Sequence, residues 1–185
     1  QRQMCIRDSF WTAKTMAVGA MCMALSSVLS LIKLWPMPMG GSVTPASMLP
    51  LLLFAYCYGV GPGMVLGALY GVMQFLLDGM AWAALGAIPN LLDYPIAFGL
   101  LGLAGCFRGS KAKMTAGFVL GCFGRFMASF LSGFIFYGQY APEGVNPVWY
   151  SLTYNGSYML VECIICIALG LLVGERLAKE LKKVA

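Results

Sequence analysis

Six stretches of apolar residues follow one another along the chain, each closed by glycine, proline or charge. Read as helices, they cover about 12–34, 47–59, 62–77, 89–107, 114–137 and 148–174. Lys33 and the run WPMPMGG end the first, and the second opens after GGSVTPAS. A glycine- and proline-rich link at 59–63 separates the second from the third, which ends near Asp78-Gly79. The second is shorter than the roughly 20 residues that cross a bilayer. The opening residues 1–9, QRQMCIRDS, match nothing that follows and are expected to be a leader foreign to the fold. Residues 10–185 are expected to form a single membrane domain.

Composition turns these helices into membrane spans. The chain is 60% hydrophobic and 10% charged, against about 45–50% and about 25% in soluble domains. At 185 residues it cannot hide that much apolar surface from water, so its solvent is lipid. The expected fold is an all-α integral membrane protein, a bundle of six transmembrane helices.

Charge then orients the bundle. Arg2, Arg7 and Lys14 precede or open the first helix; Arg108, Lys111 and Lys113 lie between the fourth and fifth; Arg176, Lys179, Lys182 and Lys183 follow the sixth. Six spans put these clusters on one side, which the positive-inside rule makes cytoplasmic, with both termini there. The opposite loops carry Lys33, Asp78 and Glu143. The basic tail reads as a topology signal and a contact for lipid headgroups, and nucleic acid is not an expected partner.

Ionisable residues inside a membrane are expensive and point to function. Asp93, Arg125 and Glu162 fall within the fourth, fifth and sixth helices. At 1.5 Å per residue, each sits roughly 20 Å from the basic face. Arg125 and Glu162 could form a structural ion pair. Asp93 has less ordinary neighbours: Asn90 precedes it, Tyr94 follows, and Pro95 frees a backbone carbonyl in the helix. Tyr137, Tyr140, Trp149, Tyr150, Tyr154 and Asn155 flank the loop between the fifth and sixth helices, with Trp35 and Trp82 on the same side. Aromatics at this depth commonly form an interfacial belt. Gathered around a carboxylate and an amide, they also suit a flat organic cation: faces for stacking, an anion for charge, an amide for ring nitrogens.

Much other chemistry is absent from the sequence. No histidine occurs, which removes His-based acid–base catalysis, Ser-His triads and His metal sites. No phosphate-binding G-x-x-x-x-G-K-[ST] loop occurs, so ATP hydrolysis is not expected of this chain. Cys163 and Cys166 form a C-x-x-C inside an apolar run, which reads as small packing residues rather than as a redox or zinc pair. Ala20 and Ala24 form a small-x-x-x-small pattern that permits close helix approach.

At these residues the chain resembles the thiamine-specific substrate-binding (S) components of energy-coupling factor transporters, the ThiT/YuaJ family. The carrying segments are GGSVTPASMLPLLLFA at 40–55, NLLDYPIAFGLLGLAGCF at 90–107 and GRFMASFLSGFIFYGQYAPEGVNPVWYSLTYNGSYML at 124–160. The resemblance implies six membrane helices in the bacterial cell membrane and a thiamine pocket in the outward half. As partners it implies a transmembrane coupling protein and two ATPase subunits. No cofactor is implied. Carried over by position, Asp93 would engage the thiamine cation or its aminopyrimidine, with Tyr94 in the same motif. Arg125 matches a basic position in helix five, Tyr137 an aromatic that stacks on the ligand, and Tyr150 and Asn155 further pocket residues. Trp82 lies near a stretch where the family places another aromatic. Ala20 and Ala24 match the surface for the coupling protein. One departure stands out: Ser129 occupies the place, one turn after Arg125, where the family usually carries histidine.

The leading expectation is therefore a vitamin-capturing membrane subunit. An S component for a related vitamin or pyrimidine precursor is the alternative that Ser129 keeps open. An intramembrane enzyme or an interaction-only membrane protein fits less well, for lack of a nucleophile with a base and because of the polar cluster.

Overall fold

The computed structural model describes residues 11–37, 41–78 and 86–184. Six helices make up nearly all of it: α1 Ala13–Leu31, α2 Leu49–Tyr58, α3 Val60–Leu77, α4 Ala87–Cys106, α5 Lys111–Phe136 and α6 Pro147–Leu181. Among the described residues, all except α2 are long and apolar enough to cross a membrane. A feature with no sequence signal links α1 to α2. Strand β1, Trp35–Pro36, pairs antiparallel with β2, Ser42–Val43, with Trp35 opposite Val43. Strands of two residues are too short to show an alternating pattern.

The short α2 needs no lipid contact. Leu49 through Tyr56 are all buried, and α1, α3, α4 and α5 pack around it. A helix apolar on every side belongs in the interior of a bundle. Leu52, Phe54, Leu101 and Phe118 form the centre of this dry core, each 1% exposed or less. Gly59, at φ +108°, turns the chain from α2 directly into α3, a backbone conformation that favours glycine. The far end of α6 folds back on the same core: the Tyr58 hydroxyl donates to the Leu181 carbonyl at 2.9 Å.

Glycines bring α3 and α4 into backbone contact. Gly63, Gly67 and Gly71 recur every fourth residue, on one face of α3. A methyl group on Gly67 would collide with the Phe98 carbonyl, and one on Gly71 with the Tyr94 carbonyl. Without a hydrophobic force between helices in lipid, such small-residue contacts are a main source of helix association.

Helix α4 is irregular. Its first turn, Ala87–Leu91, runs into a π-helical turn at Leu92–Ile96 that contains Pro95. A regular stretch, Ala97–Leu100, and a 3₁₀ segment, Leu101–Cys106, complete it. Proline has no N–H to donate, and the widened turn accommodates the break. The two long helices begin with caps that the sequence carries. Ser110 accepts from the Lys113 amide and Asn146 from the Val148 amide, the latter followed by Pro147 at the first helical position.

Candidate ligand-binding cavity

A cavity opens at the end of the bundle where α1, α3 and α5 finish and α4 and α6 begin. Asp93, Tyr94, Arg125, Ser129, Tyr137, Tyr150 and Asn155, seven of the residues singled out from the sequence, line it together. They come from three helices that the chain brings to one place. Trp82 lies outside the described residues. Ala20 and Ala24 are elsewhere, both exposed on one face of α1.

Asp93 sits in the π turn of α4, and the wider turn lets both Asp93 and the adjacent Tyr94 face the cavity. The Ser132 hydroxyl donates to Asp93 Oδ2 at 2.7 Å. The hydroxyls of Ser129 and Tyr137 lie beside the same carboxylate. Ser129 thus supplies a neutral donor where an imidazole was the family expectation. Tyr137 follows the last turn of α5. Burial first, and then the Asp93 charge, hold its hydroxyl above the ordinary pKa, so it stays neutral. All these partners are uncharged, and among the described residues no cation lies within ion-pair distance of Asp93.

Arg125 and Glu162 form the ion pair that the sequence left as one possibility. Arg125 Nη1 lies 3.7 Å from Glu162 Oε2, and the two side chains are 13% and 1% exposed. The other Glu162 oxygen accepts from the hydroxyls of Thr44 and Ser47, the latter at 2.8 Å. Both hydroxyls belong to the turn before α2, where Ala46 adopts a positive φ of 65°. On its far side the guanidinium rests over the Phe98 ring, 4.2 Å from the centroid. Arg125 Nε and Nη1 nonetheless have no hydrogen-bond acceptor among the described residues.

A second polar chain reaches the cavity from the α3 side. Ser30 and Tyr70 hydroxyls both converge on Gln74 Oε1, at 3.2 and 3.1 Å. The Gln74 amide donates to Asp78 Oδ1 at 3.3 Å, and the Tyr94 hydroxyl to Asp78 Oδ2 at 3.1 Å. The sequence placed Asp78 and Lys33 in outer loops, yet both line the cavity, as do Thr44, Ser47 and Gln74. Polar residues at helix ends give no periodic signal, so only the tertiary structure assigns them.

Tyrosines build the wall on α6. Tyr150 and Tyr154 stack with ring centroids 6.0 Å apart, and Tyr154 meets Tyr158 edge-on. Tyr154 and Tyr158 join the cavity lining; Trp149 and Tyr140, 64% and 48% exposed, do not. Asn155 is tied into this wall. Its amide nitrogen donates to the Ser129 carbonyl and to Ser151, and its oxygen accepts from the Tyr158 hydroxyl at 3.1 Å. It clamps α6 to α5 and shapes the wall.

Cys163 and Cys166 are free thiols packed with the apolar core, away from this cavity. The cavity therefore offers charge, hydroxyl donors and aromatic faces, a set suited to binding. Comparison with known proteins decides the lineage. The family model for Thiamine transporter protein (Thia_YuaJ) matches residues 16–181. This chain belongs to that family. The family is one of transporters, not enzymes. Its relatives include the thiamine transporter ThiT of Bacillus subtilis (strain 168), 38% identical over 144 residues, 70% of this chain and 73% of that one. ThiT of Lacticaseibacillus paracasei is 33% identical over 134 residues, 65% and 67% of the two chains. In fold the chain is similar to ThiT from Listeria monocytogenes, with a TM-score of 0.77 at 20% identity, covering 92% of this chain and 96% of that one. A structure described as the S component of a bacterial ECF transporter matches with a TM-score of 0.62 at 19% identity, covering 91% and 98%. The Thia_YuaJ chain is thus an integral membrane protein of the transporter type, and its fold is that of S components.

Proposed function

We propose that this Thia_YuaJ protein is the thiamine-binding membrane subunit of an energy-coupling factor transporter. The observation that carries the reading is Asp93: a carboxylate in a cavity at membrane depth, bonded to the neutral Ser132 hydroxyl, with the stacked tyrosines of α6 lining the same cavity. An anion kept without a counter-ion in a low-dielectric site favours a cation that can take its place. Thiazolium is a flat permanent cation, and the Arg125 Nε and Nη1 donors remain for the acceptors of an aminopyrimidine. Six membrane crossings with both termini cytoplasmic, the short α2 completing its crossing with neighbouring turns, agree with the three basic clusters. Residues 10–185 act as one domain on this reading. ATP hydrolysis belongs to partner subunits: a coupling protein, which meets the exposed Ala20–Ala24 face of α1, and two ATPases.

The test is intrinsic tryptophan fluorescence of the purified protein, titrated with thiamine. Saturable quenching is expected, and Asp93→Asn weakens it about 10-fold or more, as loss of a charge-assisted contact should. Unchanged affinity in Asp93→Asn rejects Asp93 as the ligand's anion. Quenching by the pyrimidine half, with none by thiamine, moves the substrate to a precursor and makes Ser129 the residue to study.

A further inference from the structure

Among the described residues the cavity is lined by one buried cation, Arg125 on α5, together with Asp93 on α4 and Glu162 on α6. In a low-dielectric site a single guanidinium that neutralised Asp93 would abolish the very charge a cationic ligand needs. The structure shows how this is avoided. Glu162 is 1% exposed and cannot turn away, because Thr44 and Ser47 hold one of its oxygens. Its other oxygen faces Arg125 at 3.7 Å, while Phe98 supports the opposite face of the guanidinium. Asp93 is met instead by the Ser132 hydroxyl at 2.7 Å, with the Ser129 and Tyr137 hydroxyls lining the cavity beside it, neutral groups that do not cancel its charge.

We propose that Glu162 is a positioning residue that holds Arg125 as its own counter-ion and so leaves Asp93 unpaired for a cationic ligand. This rests on the reading of Asp93 given above. Glu162 acts through Arg125: it sets the charge that the ligand meets. Removing its charge frees Arg125 to pair with Asp93, and the cavity then loses its preference for cations. The turn before α2 shares in the device through Thr44 and Ser47, so one carboxylate joins that turn, α5 and α6.

The experiment uses the full chain in detergent, titrated with thiamine and with its neutral pyrimidine half, with thermal unfolding as the control for folding. Glu162→Gln is expected to weaken thiamine at least 10-fold and the neutral half less than threefold. Combining it with Arg125→Met removes the freed cation, and the double variant is expected to bind thiamine at least threefold more tightly than Glu162→Gln alone. Equal loss of both ligands, unchanged thiamine affinity, or a double variant no better than the single overturns the proposal. If Glu162→Gln does not fold, the double variant, whose pair is removed as a unit, carries the test. It must then bind thiamine more tightly than Asp93→Asn, and failure to do so overturns the proposal. Asp93→Asn separates the two readings. If it retains thiamine, the ligand assignment fails; if it loses thiamine while Glu162→Gln does not, only the role of Glu162 fails.

Discussion

Around α2 the bundle is dry: Leu52, Phe54, Leu101 and Phe118 are at most 1% exposed, and buried apolar side chains surround them. At the other end the same helices enclose Asp78, Asp93, Arg125 and Glu162 within a set of hydroxyls. The first region is held by shape and the second by satisfied polarity. The difference teaches that stability and binding are seated at opposite ends of shared helices, since α4 supplies Leu101 to one and Asp93 to the other. Substitutions should therefore separate by position along a helix more than by which helix they fall on.

The largest effect is expected in the dry region. Leu52→Ala removes a side chain with no exposure and should lower stability by about 2–5 kcal/mol. Thermal unfolding in detergent measures it, and the folded fraction should keep its thiamine affinity within about twofold. A large affinity loss at full folding would dissolve the division between the two regions. Gly67→Val probes their seam. Its side chain would press on the Phe98 carbonyl, and overpacking of this kind costs about 1–3 kcal/mol. Because the same face of α3 abuts Tyr94 through Gly71, affinity should fall along with stability. A stable variant with intact binding would show that the α3–α4 contact does not position the site. The smallest effect belongs to the cavity wall. Tyr154→Ala deletes a stacked ring, and a cation–π or stacking contact is worth about 1 kcal/mol, roughly fivefold in affinity. Its unfolding temperature should not move; a shift there with no change in binding would make Tyr154 a packing residue.

Much of the first region was legible in the sequence, because long apolar stretches separated by glycine and charge announce membrane helices directly. Even the exception was visible, since α2 is too short to span, though its complete enclosure was not. The glycines at 63, 67 and 71 carried a spacing signal that identifies the α3 face once one asks what lies opposite. The cavity was legible only where a residue was out of place in its helix, as Asp93, Arg125 and Glu162 are. Lys33, Thr44, Ser47, Gln74 and Asp78 sit at helix ends or in turns, where polar residues are ordinary, so nothing marked them. Asn155 was identified as a cavity residue, but its partner Ser129 lies 26 positions away and could not be read from spacing.

The widened turn at Leu92–Ile96 carries a consequence for how this chain tolerates change in length. Such a turn holds one residue more than a regular helical turn. Losing one residue there would rotate what lies on one side of the gap by about 100° against the other. Asp93 or Tyr94 would then swing out of the cavity and the Gly71 contact with Tyr94 would shift, while the Gly67 contact with Phe98 below stayed in phase. The turn acts as a vernier between two halves of one helix, and a one-residue deletion within it should loosen the upper α3–α4 contact and be severe for binding.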